Sequence, residues 1–274
     1  MNRRRPVRSF NCEFGYELIA VLPLAYALHE RGWLVGTESA RDTRCLYWFS
    51  PEHAEKAGQR DGANNLLLAR EGYPNADIHR PELDWRYFRP PPLKARYAND
   101  RFRFGKPTLV ICNRKNREWG GEPINFIPEE TLAALFDLLS PRYQIVYCNL
   151  DGRPELYDEA SPVPMGDYRL IADRYAGRVV SIHDLAAAYP GLSFNTLQLS
   201  VFANCERFIT MNGGYGILAS YFGGTNLIYS RECMEIKPEI DSFRRWYHRF
   251  GGSRIVHVDS LTRLIEEAER EFMA

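Results

Sequence analysis

The chain has 274 residues, of which 45% are hydrophobic and 26% are charged, a composition typical of a folded globular protein and not of a disordered one. Lys plus Arg and Asp plus Glu both number 35, so no global field draws the chain to nucleic acid or to an anionic membrane. An anionic ligand must therefore be held by local groups, and the length favours two compact units.

The six cysteines are scattered and form no CxxC pair, which favours reduced, mostly buried thiols of a cytoplasmic protein over a zinc or redox site. The basic start of the chain leads into no long apolar run, so we expect neither a signal peptide nor a membrane span. Peripheral contact of this start with phospholipid or acceptor phosphate stays open beside a simply solvated terminus.

The first part of the chain predicts two strand-loop-helix units. A strand near residues 7–10 precedes a glycine turn, and the apolar spacing of residues 16–30 is typical of a helix. A second strand is predicted at residues 45–49, with residues 50–53 as the start of a helix. Prolines then interrupt residues 58–105, and we place a domain boundary there, between units 1–105 and 106–274.

The second unit alternates strands with helices, which predicts a parallel, doubly wound sheet and an α/β fold. Its predicted strands are 108–112, 144–148, 179–181, 207–210, 226–229 and 254–258, and its predicted helices are 128–139, 195–203, 215–222 and 261–272. Ligands of such sheets bind beyond the carboxyl ends of the strands. Three loops in that position are therefore candidates for the functional site.

The most glycine-rich of these loops is Asn212, Gly213 and Gly214, followed by Tyr215 at a helix start. Glycines let the backbone approach an anion, and a helix N-terminus favours negative charge, so the loop is typical of a diphosphate site. A plain strand-to-helix turn that needs positive φ is the alternative. The spacing is not GxGxxG, which disfavours an NAD enzyme.

The second loop places Arg114, Lys115 and Arg117 directly after the strand 108–112. A guanidinium grips phosphate oxygens through two parallel hydrogen bonds, so Arg114 is the leading phosphate ligand. The alternative is a solvated surface loop in which Arg117 pairs with a neighbouring glutamate.

The first loop carries Glu13 and Glu17 around Phe14, Gly15 and Tyr16. A carboxylate at the mouth of a strand-helix turn can deprotonate an acceptor hydroxyl, and either glutamate is a candidate for this role. Capping and helix-dipole effects also favour glutamate near a helix start, so both residues have a purely structural alternative.

These loops carry a resemblance to a known family. Residues 13–18 resemble the first turn of GT-B enzymes in the fucosyltransferase-like group, and residues 109–115 are similar to that group's His-x-Arg-Arg strand end, whose arginine binds the donor diphosphate. In this chain, Asn113 replaces the histidine of that motif and Lys115 replaces its second arginine. Residues 195–224 resemble the donor-side element that holds nucleotide and phosphate.

The resemblance implies two Rossmann-like, doubly wound domains in a GT-B-like arrangement, with a reduced N-terminal acceptor domain. It also implies a glycosyltransferase that moves a sugar, fucose or another deoxyhexose, from a nucleotide-diphosphate sugar to a glycan or other hydroxyl acceptor with inversion. The implied donor-binding residues are Gly15, Tyr16, Asn113, Arg114, Lys115, Asn212, Gly213, Gly214, Tyr215 and Ser220. The catalytic candidates are Glu13, Glu17 and Arg114.

We expect neither a metal ion nor a bound cofactor, because the sequence has no Asp-x-Asp motif or obvious His and Asp metal cluster. Tyr215, Tyr221 and Trp119 are candidates to stack on base or sugar, with plain packing as the alternative. Two rival functions stay open: a non-catalytic nucleotide- or glycan-binding protein, and a sugar-nucleotide epimerase or hydrolase. For the second rival the residues to inspect are His183, Asp184 and His248.

Overall fold

The computed structural model describes residues 4–9, 12–56, 87–117, 121–149, 161–238 and 240–274. Within these ranges the chain is a mixed α/β protein with a three-stranded, a six-stranded and a two-stranded sheet. All strand pairs of the two larger sheets are parallel. The expected α/β class is confirmed.

The N-terminal sheet has the order β1-β2-β3, with strands β1 (Arg5–Arg8), β2 (Leu34–Ala40) and β3 (His53–Lys56). A continuous helix packs against it and consists of Phe14–Tyr16, a π-helical turn at Glu17–Val21, and Leu22–Glu30. The first predicted strand and the first predicted helix are present, with the strand two residues nearer the N-terminus than expected.

The second predicted strand is wrong, because residues 45–49 form turns. Their apolar and aromatic side chains suit a strand by propensity, but here they are buried in turns, where the Tyr47 hydroxyl donates to the Glu17 carboxylate at 2.7 Å. Tertiary contacts thus override local preference. The true second strand is β2, whose apolar alternation is interrupted by Gly36 and Glu38.

The helix start predicted at residues 50–53 is also wrong, since β3 begins at His53. The His53 ring is buried between two hydroxyls, with Thr37 Oγ1 2.7 Å from Nδ1 and Thr43 Oγ1 3.2 Å from Nε2. These two hydroxyls come from β2 and from the turn after it, so they fix the position of the strand start.

The C-terminal sheet has the order β11-β10-β9-β4-β6-β8. Its strands are β4 (Thr108–Cys112), β6 (Gln144–Cys148), β8 (Val179–Ser181), β9 (Cys205–Met211), β10 (Thr225–Tyr229) and β11 (Arg254–Val258). The short strands β5 (Asn116–Arg117) and β7 (Ser161–Pro162) pair in an antiparallel manner. All six predicted strands of this half are present.

Helices cover both faces of this sheet. They include Glu129–Leu139, Asp167–Leu170 with the π-turn Ile171–Tyr175, Ile182–Ala188, Phe194–Phe202, Gly214–Ser220, the π-turn Phe243–Tyr247 with His248–Gly251, and Leu261–Phe272. The helix Leu93–Tyr97 precedes β4. Successive β4 side chains face opposite cores, with Val110 in one hydrophobic cluster and Ile111 in the other, as expected for a strand buried on both faces.

One of these clusters joins the N-terminal half to the C-terminal half, since it contains both Leu18 and Phe222. Polar contacts accompany it. The Tyr221 hydroxyl donates to the Leu18 carbonyl at 2.5 Å, and the Asp42 carboxylate accepts the backbone N–H of Asn195 at 2.8 Å. The boundary at residues 105 and 106 stays a prediction. It falls between the two larger sheets, but the core is continuous across it.

Candidate functional site

The winding direction of the six-stranded sheet reverses between β4 and β9. From β4 the chain moves outward through β6 to β8, and it then returns to β9 and moves outward through β10 to β11. Ligands of open parallel sheets bind beyond the carboxyl ends of the strands at such a reversal. The loops that follow β4 and β9 therefore line the predicted crevice.

Two predicted loops meet at this crevice. The register pairs Ile111 of β4 with Ile209 of β9, and Arg114 and Asn212 each follow three residues later. Gly213 has φ 86° and ψ −153°, and a Cβ placed on it would lie 2.9 Å from Arg114 Nη2 and 3.6 Å from Cζ. The guanidinium thus lies directly on the glycine turn.

The first loop reaches the same turn from the N-terminal half. A Cβ on Gly214 would lie 3.0 Å from Cδ1 of Phe14, and a Cβ on Gly15 would lie 3.3 Å from Cδ1 of Ile217. The aromatic ring of one half therefore packs on the glycine turn of the other. All three loops selected from the sequence converge at one place, although their roles there remain predictions.

The backbone of the turn also offers hydrogen-bond donors. The first helical hydrogen bond runs from the Ile217 N–H to the Gly213 carbonyl at 3.1 Å, so the N–H groups of the residues between them have no intrahelical acceptor. Gly214 is half-buried and not enclosed. The Arg114 guanidinium and these N–H groups are thus hydrogen-bond donors that lie together at the turn.

The two candidate glutamates have different environments. Glu13 is half-buried and precedes the helix at its N-cap position. Glu17 is fully buried, and its Oε1 accepts hydroxyls from Ser9, Ser39 and Tyr47. Glu17 is therefore enclosed by protein, whereas Glu13 is partly accessible to solvent.

Two residues of the β4 loop have structural partners. Asn113 is buried, its Nδ2 donates to the Ile127 carbonyl at 2.9 Å, and its Oδ1 accepts the Ile127 N–H at 3.0 Å. It therefore fastens the two ends of the loop and does not face the crevice with its amide. The Lys115 ammonium lies 4.6 Å from the centroid of the Phe126 ring.

Several predicted donor ligands lie behind the turn. Tyr16 and Ser220 are fully buried and Tyr215 is 7% exposed, and burial raises the pKa of Tyr215 well above its usual 10. The Ser220 hydroxyl donates to the Gly216 carbonyl at 2.7 Å, and Ser220 lies about 9 Å along the helix from Gly214. The structure does not bring Ser220 to the residues that meet at the turn.

Asn212 and the stacking candidates complete the set. Asn212 is 6% exposed, and its Oδ1 has no hydrogen-bond partner within the described ranges. Tyr221 is buried and uses its hydroxyl between the two halves. Trp119 lies outside the described residues.

Two residues that shape the site cannot be singled out from the sequence. Phe14 belongs to the motif of residues 13–18, but the motif does not indicate its contact with Gly214. Asn125 is buried, and its side chain links the β4 loop to the loop after β10, with Nδ2 2.7 Å from the Glu232 carbonyl and Oδ1 2.9 Å from the Arg231 N–H. The signal available in the sequence was an asparagine in a loop, which is too common to single out.

The residues of the epimerase alternative are not brought together. Asp184 forms a capping box with Ser181, whose hydroxyl lies 2.7 Å from Oδ2. His183 lies in the same helix beside β8, whereas His248 follows the turn Phe243–Tyr247 that packs against β11. Since β8 and β11 are opposite edges of a six-stranded sheet, these histidines are separated by about 24 Å of sheet.

In the described ranges, no three His, Cys, Asp or Glu side chains converge in a way that could hold a metal ion. None of the helices in the same ranges combines the length and the apolar character needed to cross a membrane.

Comparison with known proteins identifies the fold. A scan against protein-family models and a search of curated protein sequences return no match. Among solved structures, the ADP-heptose LPS heptosyltransferase II of E. coli matches with a TM-score of 0.57 over 98% of each chain, at 12% sequence identity. At this identity the likeness shows the fold alone. The chain therefore has the GT-B-like fold expected from its sequence, and the expected link to the fucosyltransferase-like group finds no support.

Proposed function

We propose that this protein is a glycosyltransferase that moves a sugar from a nucleoside-diphosphate sugar to a hydroxyl of a glycan or glycoconjugate. The observation that carries the proposal is the contact of Arg114 with Gly213 at the point where the sheet reverses its winding. A cation and free backbone donors at this position suit the diphosphate of such a donor. The loop with Glu13 faces them from the other half.

In the proposed reaction, the acceptor oxygen forms a bond to the anomeric carbon while the bond from that carbon to the phosphate oxygen breaks. The acceptor proton goes to Glu13, and the nucleoside diphosphate leaves with an additional negative charge. Arg114 and the N–H groups after Gly213 stabilise this charge, because fixed donors need no reorganisation during the reaction. Direct displacement of this kind inverts the anomeric configuration and requires no metal ion.

Glu13 and Glu17 differ in how accessible their carboxylates are, and this difference decides which of them we propose as the general base. A general base must come within about 3 Å of the proton that it takes. Glu13 is half-buried beside Phe14, which packs on Gly214, whereas Glu17 is enclosed by three hydroxyl donors. We therefore assign the proton to Glu13.

ADP-linked sugars are the first donors to test, because the structural neighbour is described as an ADP-heptose enzyme. Deoxyhexoses such as fucose, linked to GDP, are the second, since they follow from the sequence motifs. Which nucleobase of the donor is accepted depends on residues beyond the glycine turn.

Calorimetry with ADP, GDP, UDP and CDP tests the proposal. At least one diphosphate should bind the folded protein without added metal, and its affinity should survive EDTA. If none of the four binds, the glycosyltransferase assignment fails. If EDTA abolishes binding, the metal-independent mechanism fails while the phosphate site stands.

The non-catalytic alternative shares the binding prediction and differs in turnover. Incubation of the protein with the sugar form of the diphosphate that binds should release free diphosphate in the presence of a hydroxyl acceptor. Binding without release, across a panel of acceptors, would favour a nucleotide-binding protein over an enzyme.

A further inference from the structure

The buried carboxylate of Glu17 gathers three separate segments of the N-terminal half. Its Oε1 accepts the hydroxyl of Ser9 at 2.7 Å, that of Tyr47 at 2.7 Å, and that of Ser39. Ser9 follows β1, Ser39 lies in β2, and Tyr47 lies in the turns before β3. A single oxygen therefore connects the start of the first helix to the segment after β1, to β2 and to the turns before β3.

Burial of the Glu17 carboxylate has a large free-energy cost, which its hydrogen bonds must offset. An enclosed carboxylate loses its hydration, and only hydrogen bonds from neighbouring groups can replace it. Hydroxyl bonds to a charged acceptor are short and about twice as strong as neutral ones. Three such donors, each from a different segment, make the carboxylate a fixed point for the surrounding backbone.

The hydroxyl of Tyr47 is itself held in place. Its ring stacks on the His53 ring at a centroid distance of 5.0 Å and an angle of 18°, and His53 is fixed by Thr37 and Thr43. Burial, followed by the Glu17 charge, raises the pKa of Tyr47 well above its usual 10. The hydroxyl therefore stays protonated as a donor.

Glu17 is also connected to the candidate site. Its N–H donates to the Glu13 carbonyl at 3.0 Å, and the π-turn Glu17–Val21 begins at the same residue. Turns of this kind inside helices are frequent at functional sites. Between Glu13 and Glu17 lie Phe14 and Gly15, which contact the glycine turn of the other half.

We propose that Glu17 is a positioning residue. Its carboxylate, which accepts three hydroxyl hydrogen bonds, fixes the segment 12–17 so that Glu13 faces the acceptor and Phe14 lies on the glycine turn. This role rests on the proposed function of Glu13. It assigns no proton transfer to Glu17, which keeps its three donors throughout.

Hydrogen exchange on the full-length protein tests the positioning directly. Tyr47→Phe and Ser39→Ala each remove one donor, and Glu17→Gln removes the charge. Loss of one charge-assisted hydrogen bond should make the backbone amides of residues 12–17 exchange roughly 10- to 150-fold faster, while exchange in β4 and β9 stays unchanged.

Tyr175→Phe is the matched control. The Tyr175 hydroxyl lies 3.1 Å from both the Ala133 carbonyl and Asp137 Oδ2, in the other hydrophobic cluster. It should leave exchange at residues 12–17 unaltered. Unchanged exchange in Tyr47→Phe and Ser39→Ala, or an equal increase in the control, would overturn the proposal.

A kinetic measurement separates positioning from a general loss of structure. With ADP-heptose as donor, Tyr47→Phe should lower kcat at least tenfold and keep KM for ADP-heptose within twofold. A plot of kcat against pH should keep its acidic limb, which is the loss of activity at low pH that a general base produces. A selective loss of that limb in Glu17→Gln would make Glu17 the base and refute the proposal. Failure of the wild-type protein to bind any diphosphate would refute the proposed function, whereas the exchange result would still decide whether Glu17 fixes the loop.

Discussion

Substitution of Gly213 by alanine tests the contact on which the proposed phosphate site depends. With φ 86° and ψ −153°, Gly213 occupies a backbone region that only glycine adopts readily, and another residue there costs of the order of 1–3 kcal/mol. The new methyl group would also come within 2.9 Å of Arg114 Nη2. The Gly213→Ala variant should therefore lose stability and displace the guanidinium.

The displacement can be converted into an expected affinity. If the shift breaks one charge-assisted hydrogen bond to the diphosphate, the loss is about 1.5–3 kcal/mol, or roughly 10- to 150-fold in Kd. Calorimetry with ADP measures this loss, and AMP is the comparison ligand. AMP should lose less affinity, because it offers fewer oxygens to the turn.

Gly32→Ala provides the matched control for backbone strain. Gly32 has φ 69°, and a Cβ placed on it meets no heavy atom within 4 Å. Alanine in this left-handed region costs about 1–2 kcal/mol, so Gly32→Ala should lose stability without losing ADP affinity. If the two variants bind ADP equally well, the Arg114 contact with the turn has no part in binding and the phosphate site is misplaced.

Three further predictions concern single side chains. Arg114→Ala should weaken ADP binding roughly 10- to 150-fold and AMP binding less. Arg114→Lys should not retain the ADP affinity, because lysine lacks the planar, two-pronged donor of the guanidinium. Equal losses for both ligands would mark Arg114 as a general surface charge. Glu13→Gln should lower kcat while ADP affinity by calorimetry stays unchanged, and full activity would exclude Glu13 as the base. Burial lowers the pKa of His53 below its usual 6.5, so below that pH the unfolded chain takes up a proton that the folded chain does not. Stability measured by urea unfolding should fall as the pH drops below 6.5, and a His53→Gln variant with the same pH slope would contradict this.

The strands of the C-terminal half could be predicted because burial on both faces leaves a continuous apolar run. Every residue of Thr108–Cys112 is buried, as are four of the five in Gln144–Cys148. A run of this kind can be identified as a strand from its own residues, without knowing which other segment it packs against. The predicted bounds of these two strands agree with the structure.

The N-terminal half could not be predicted in the same way, because its core contains polar groups. In β2 the buried positions include Thr37 and Ser39, which bond to His53 and Glu17. A serine or threonine in a sequence gives no sign of a partner sixteen or twenty-two residues away. Residues 45–49, by contrast, look like a strand because they are apolar and aromatic, although they form turns.

Within the candidate site, the meeting of the loops after β4 and β9 could be predicted, whereas the contacts of individual side chains could not. The loops after β4 and β9 meet because parallel strands of one sheet end at the same edge. The first loop follows β1 of the other sheet and meets them through the contact of Phe14 with Gly214. The orientation of each side chain depends on distant segments. Asn113 turns to Ile127, and Ser220 turns to Gly216 and Asn226, and neither preference can be read from a motif.

The position of the glycine turn at Gly213 follows from chain order as much as from its residues. Because β4 starts the second half and the chain returns to β9 only after β8, the loops after these strands must lie side by side without an intervening crossover. Arg114 therefore reaches Gly213 through topology, and the two segments need no similarity to any motif for this to occur. Under the proposed function, this turn of the C-terminal half binds the leaving group, and Glu13 of the N-terminal half accepts the proton.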